Sequence, residues 1–244
     1  MFPPRLHEPR PSSRTAAGRL LAIDCSTERL VLAVSAGDRC CTRDEEGAAR
    51  ASSRLLPLAF ELLGEAGQDI STLDAIAFAA GPGAFTGLRT ACACAQGLAV
   101  GRGLPLLALD SLALVAEDAR AQGASGTGWV AMDARMGQAY AGAYGWQDGA
   151  WQVFEAPAVW SPEALAQRWT NEPPAWVAGS ALAALALTSG AARRIEQPRD
   201  RAAALLRLAQ QAWQAGAAVD AAEALPLYVR DKVALTTAER TATR

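Results

Sequence analysis

Residues 75–89 read Ala-Ile-Ala-Phe-Ala-Ala-Gly-Pro-Gly-Ala-Phe-Thr-Gly-Leu-Arg. An apolar run enters a glycine loop, and a small-residue helical pattern continues from Thr86 to about Gly101. That is strand, loop, helix. Gly81, Gly83 and Gly87 let the backbone turn sharply and let another segment approach closely. A loop ahead of a helix N-terminus can also hold an anion. No Lys-Ser/Thr pair follows, so this is not a Walker A loop, and the glycines are spaced one residue too wide for GxGxxG. The spacing favours a packing turn over a phosphate site.

Upstream, Leu20–Ile23 is an apolar strand that ends at Asp24, followed by the turn Asp24-Cys25-Ser26-Thr27. Leu30–Val34 and Arg39–Thr42 complete an antiparallel meander. A helix is expected from Ser52 to Ala66. Its apolar positions cover an arc of roughly 200°, where a surface helix needs little more than ~100°. Leu55, Ala59 and Leu62 are assigned to its own sheet. Leu56, Phe60 and Leu63 are assigned to something else, either the second domain or a partner subunit. In the second helix, Gly87, Ala91, Ala95 and Ala99 form a smooth ridge suited to packing against another helix.

Downstream, Leu104–Leu109 is a fifth strand and Asp110-Ser111 opens a third helix. After the Gly/Ser/Thr-rich seam at Gly123–Gly128 the pattern restarts with Trp129–Asp133, Ala139–Trp146 and Trp151–Glu155. A helix at 162–168, a strand at 175–178, a short helix, a strand near 194–196 and a helix at 201–215 follow. Two copies of a mixed sheet flanked by helices make an α/β protein. The expected divisions are a disordered extension at 1–18, lobes at 19–109 and 110–232, and a flexible tail at 233–244.

Composition excludes several function classes. The 244 residues carry a formal net charge of −2 and a single lysine, Lys232, so no basic face for nucleic acid is apparent. The only histidine, His7, lies in the N-terminal tail, which removes His-based metal sites, a Ser-His-Asp triad and a metallopeptidase reading. Cys25, Cys40, Cys41, Cys92 and Cys94 are odd in number and lack a CxxC spacing, and read as small buried hydrophobes. No signal peptide or membrane-length apolar run is visible, so the chain reads as soluble and cytoplasmic.

Six segments, spread in order over residues 20–231, resemble the TsaB (YeaZ) family of bacterial tRNA threonylcarbamoyladenosine biosynthesis. They are Leu21-Ala22-Ile23-Asp24-Cys25-Ser26-Thr27, Arg54-Leu55-Leu56-Pro57, Gly81–Arg89, Gln96-Gly97-Leu98-Ala99, Met132-Asp133-Ala134-Arg135-Met136-Gly137 and Pro226-Leu227-Tyr228-Val229-Arg230. The resemblance implies an actin-like ATPase fold of two RNase H-like lobes. It implies a non-catalytic subunit that pairs with a TsaD-type catalytic subunit, with a TsaE-type ATPase joining them. It implies a pairing surface on the first two helices, here Arg54, Leu56, Phe60, Leu63, Leu88, Arg89, Cys92 and Gln96. Self-association is expected when the partner is missing, and contact with tRNA is expected to be indirect. No cofactor or metal of its own is implied, while a nucleotide at the interface with the partner is compatible with it. Many members carry a His where Ala51 stands here.

Working ATPases of this fold use an Asp-x-Gly-Thr/Ser turn after the first strand of each lobe, where the Asp helps place the metal. Here Ser26 and Arg135 stand where glycine is wanted, after Asp24 and Asp133. Thr86, beside Gly87, belongs to the glycine loop. The sequence therefore argues for a scaffold subunit. The alternatives are a nucleotide-dependent kinase or ATPase, which would turn over ATP and lose that on Asp24→Asn, and an RNase H-like nuclease, for which no third carboxylate stands out.

Overall fold

The computed structural model describes residues 17–37, 39–47 and 50–230. Strand β1 (Leu20–Asp24) is buried throughout because it is the centre of a five-stranded sheet. It runs antiparallel to β2 (Arg29–Ala36) and parallel to β4 (Ala75–Gly81). β3 (Arg39–Glu46) pairs with β2 and β5 (Leu106–Asp110) with β4, giving the order β3-β2-β1-β4-β5. Strands covered on both faces read as continuous apolar runs, which is why 20–23 and 75–80 lack polar alternation.

The second sheet contains β6 (Thr127–Asp133), β7 (Ala139–Gln147), β8 (Ala150–Trp160), β9 (Trp176–Ala178) and β10 (Arg193–Ile195). Its order, β10-β9-β6-β7-β8, repeats the first. The pairings repeat too, with β6 antiparallel to β7 and parallel to β9. Two RNase H-like lobes in one chain are the actin-like arrangement expected from the sequence.

The period-two alternation of β1 sends Leu21 and Ile23 to one apolar cluster and Leu20 and Ala22 to another. The first cluster packs under α1 (Ala51–Glu65) and α2 (Phe85–Arg102). The second is built with α3 (Ser111–Ala121) and α6 (Arg201–Gln214), and includes Tyr144 and Trp176 of the second sheet. α4 (Pro162–Asn171) and α5 (Ala181–Ala184) cover the far face through Leu165, Trp169 and Leu182.

Several expectations change here. The ridge Gly87-Ala91-Ala95-Ala99 is buried, with its alanines in the core cluster of the chain's own sheet, not free for another helix. Cys25 and Cys92 are buried as expected, but Cys40 is exposed, because β3 is an edge strand with a solvated face. The boundary at 109/110 does not divide the molecule, because α6 packs on the first sheet. Past α6 the chain returns to the first lobe, where Val219 bridges Leu106 and the Leu227 amide donates to the Ala80 carbonyl at 2.7 Å. Gly18 is already tied in by hydrogen bonds with Gln210 and Ser35. Residues 1–16 of the expected N-terminal extension, and the tail from 233, lie outside the described residues.

Two carboxylates, the half-buried Asp110 and the buried Glu117, join the layers. Asp110 caps α3 through the Leu112 amide and accepts the Tyr144 hydroxyl of β7 at 2.6 Å. Glu117, whose side chain is fully enclosed, accepts from Arg120, from Arg207 of α6 at 2.6 Å and from the Trp151 indole of β8 at 3.1 Å. Burial pushes its carboxyl up, but the two arginines, with Trp151, pull it below the usual range. A depressed carboxyl stabilises the fold above the unfolded-state value, and that stability is lost as pH falls through the folded-state value. Glu117→Gln should therefore cost ~2 kcal/mol at neutral pH, discounted because both arginines are about one-third exposed. The gap from wild type should narrow on acidification. Urea unfolding across that pH range reads it, and an equal gap at all pH values would contradict the assignment.

Candidate functional site

The carboxyl ends of the parallel strands of both sheets face one cleft of about 1250 Å³. At its first-lobe wall, Asp24 Oδ1 accepts the Ser26 amide at 2.8 Å, closing an Asx turn. Its Oδ2 accepts Arg201 Nε at 2.6 Å, and a second Arg201 nitrogen donates to Ser26 Oγ at 3.0 Å. These side chains are 1% and 6% exposed. Thr27 Oγ1 accepts the Arg29 amide and shapes the same turn.

At the opposite wall, Asp133 Oδ1 accepts the Arg135 amide at 2.8 Å. Arg135 and Met136 hold left-handed backbone, with φ of 63° and 57°. The Arg135 guanidinium bonds Asp133 at 3.3 Å and reaches across the cleft to Glu28 at 3.0 Å. It is engaged by two carboxylates of the chain itself. Among the described residues, no group of three His, Cys, Asp or Glu could hold a metal ion. The N-terminal tail with His7 lies outside the described residues.

The glycine loop packs against the first turn. A Cβ on Gly83 would stand 2.5 Å from the Ser26 carbonyl oxygen, and one on Gly87 only 1.9 Å from that of Cys25. The Ala84 amide donates to the Ser26 carbonyl at 2.8 Å. Gly81 ends β4 against the Leu227 carbonyl, and the Thr86 carbonyl accepts the Thr90 hydroxyl. These contacts support the packing reading of the loop.

The residues assigned to a pairing surface separate. Leu56 and Phe60 are 42% and 50% exposed, and none of the described residues of the second lobe or of the returning chain covers them. Arg54 lies beside them, ion-paired with Glu45 and Glu61. Leu63, Leu88 and Cys92 are buried in the chain's own core, so they cannot meet a partner in this conformation. Leu63 fails because it follows Leu62 by only 100° around α1 and lies on the sheet side. Gln96 donates its side-chain amide to the carbonyls of Ala221 and Ala224, both at 3.0 Å, so it clamps the returning chain. Arg89 is exposed, and among the described residues its side chain is held by aromatic groups and not by a carboxylate. It stacks 3.8 Å from the Phe85 ring centroid and donates to Tyr228 Oη at 3.1 Å.

Sequence reasoning missed Arg201 and Tyr228 as partners. They stand 177 and 139 residues from Asp24 and Arg89, too far for any local pattern to reveal.

Residues 45–239 match a family model described as TsaD, tRNA N6-adenosine threonylcarbamoyltransferase. The chain is 32% identical over 228 residues to the tRNA threonylcarbamoyladenosine biosynthesis protein TsaB of Escherichia coli, covering 88% of this chain and 96% of that one. The chain belongs to the TsaB (YeaZ) family. A Pseudomonas aeruginosa crystal structure, described as similar to peptidase YEAZ, superposes with a TM-score of 0.79 at 36% identity, over 88% of this chain and 100% of that one. A shorter stretch of 69 residues is 46% identical to the tRNA N6-adenosine threonylcarbamoyltransferase of Paracoccus denitrificans, covering 28% of this chain and 19% of that one. This TsaB-family chain thus resembles the transferases over part of its length.

Gly87→Ala tests the loop. Helix propensity alone would favour alanine by about 1 kcal/mol. The collision with the Cys25 carbonyl should reverse the sign and cost at least ~2 kcal/mol in chemical denaturation. A variant as stable as wild type would show that the turn and α2 do not need this approach.

Proposed function

We propose that this chain serves the formation of threonylcarbamoyladenosine in tRNA as a binding subunit that does not itself perform the transfer. It docks a TsaD-type catalytic subunit on the outer face of α1 and α2 and orders it. The membership and names of its relatives support the pathway. The site supports the division of labour, because Asp24 and Asp133 are both engaged by arginines.

One observation carries the docking surface. Leu56, Pro57, Phe60 and Gly64 share one exposed face of α1, and Ala93, Gly97, Val100 and Gly101 share one of α2. Nothing lies within 4 Å of a Cβ built on Gly64, Gly97 or Gly101. Glycine in a helix interior costs about 1 kcal/mol relative to alanine. The chain's own packing gains nothing from these three, whereas a partner backbone approaching closely would. An apolar face of this kind marks an interaction surface.

On this reading a second copy covers the face when the partner is missing. A TsaE-type ATPase joins the pair, any nucleotide sits at the subunit interface, and tRNA is held by the other subunits. Among the described residues no helix is long and apolar enough to cross a membrane.

Phe60→Glu should weaken binding to a TsaD-type subunit by at least ~30-fold, the scale of a ~2 kcal/mol hot spot. It should leave stability within ~0.5 kcal/mol, because the position is half-exposed. Copurification, titration calorimetry and a reconstituted tRNA-modification assay measure the first effect, and thermal unfolding the second. Undiminished pairing would move the docking surface elsewhere, and an unfolded variant would return Phe60 to the core.

A further inference from the structure

Asp24 and Asp133 end the first strands of the two sheets, Asp133 on the wall of one cleft and Asp24 enclosed just behind the Ser26 and Arg201 that line it, the placement from which a protein of this fold holds a divalent cation beside a polyphosphate. The residues here do not fit that cation. Asp24 has one oxygen on the Ser26 amide and the other on Arg201 Nε at 2.6 Å. The remaining ligand on the turn, Ser26 Oγ, accepts from the same guanidinium at 3.0 Å. Arginine stays protonated at any pH a folded protein meets. A Mg²⁺ or Mn²⁺ ion about 2.1 Å from that carboxylate would stand where the guanidinium already is.

We propose that the Arg201 guanidinium is the resident cation of this cleft. It takes the carboxylate position that a divalent metal would otherwise occupy, so the first turn holds its charge balance without metal. A buried carboxylate requires a counter-charge. A metal supplies one only while bound, whereas Arg201 supplies it permanently. Because Arg201 opens α6, the same contact fastens the last helix to the first strand.

Removing Arg201 should restore the demand for a cation. The experiment compares wild type, Arg201→Ala, Arg201→Lys, Asp24→Asn and the Asp24→Asn/Arg201→Ala double variant, each in thermal unfolding with and without millimolar MnCl₂. Electron paramagnetic resonance counts free Mn²⁺ alongside. Wild type and Arg201→Lys should bind no Mn²⁺ at this turn and show no Tm response. Arg201→Ala should melt lower and regain ~2–4 °C with Mn²⁺. The double variant should be less destabilised than the two single losses summed, and should ignore Mn²⁺. A wild-type chain that binds Mn²⁺ and loses it on Asp24→Asn would overturn the proposal. So would a folded Arg201→Ala variant indifferent to Mn²⁺. If Arg201→Ala does not fold under either condition, the comparison of wild type with Asp24→Asn decides alone.

Discussion

The turn from Asp24 to Thr27 is gripped from three directions, and the rest of the molecule is arranged around that grip. α2 comes within van der Waals limits of the Cys25 carbonyl, which only a glycine at position 87 allows. α6 reaches the same turn through the buried Arg201–Asp24 pair. From the second lobe, Arg135 meets Glu28 just beyond the turn. These contacts are unequal. The exposed Arg135–Glu28 pair contributes little, because water screens it. Breaking the enclosed Arg201–Asp24 pair would strand a buried charge, a loss of about 3–5 kcal/mol. A Cβ at position 87 would meet the Cys25 carbonyl with no relief by side-chain rotation, because the backbone fixes the Cβ and the carbonyl is main chain.

This arrangement makes the first lobe dependent on the last third of the sequence. Its inner face is completed by α6, and its outer helix α2 is clamped by the chain that follows. Gln96 holds the carbonyls of Ala221 and Ala224, and Arg89 holds Tyr228. Arg230 then crosses to Gln138 of the second lobe at 2.8 Å. The late Pro226–Arg230 run therefore serves the fold as a strap between lobes. The Glu117 cluster does similar work on the inner side, where one carboxylate links α3, α6 and β8.

Periodicity made most of the architecture readable. The wholly apolar runs at 20–23 and 75–80 announced strands, and the two aspartates after matching strands announced a duplicated lobe. The glycine loop was legible as a packing turn because its spacing fitted no phosphate motif. The site was harder. Angular counting on α1 showed that the apolar arc was too wide for one contact, but not which edge the sheet would cover. Leu63 fell inside the covered edge, and Leu56 and Phe60 outside it. Leu88 and Cys92 were placed at an interface by their position on α2, but the curvature of the core encloses them. Gln96, Arg89 and Arg201 find their partners more than 100 residues away, and only the folded path of the chain brings those groups together.

The glycines separate two kinds of constraint that sequence alone merges. Gly83 and Gly87 are required from within, because carbonyl oxygens of the same chain occupy the space a side chain would need. Gly64, Gly97 and Gly101 lie in the outer helices beside open space. Each of these three lowers the helix's stability, and among the described residues no contact offsets it. The first group explains how the lobe closes on its own turn. The second leaves α1 and α2 less stable than alanine would make them, on the same face that exposes Leu56 and Phe60. On the proposed function, the fold tolerates this loss where it is smoothest and most apolar because a partner backbone arrives there from outside.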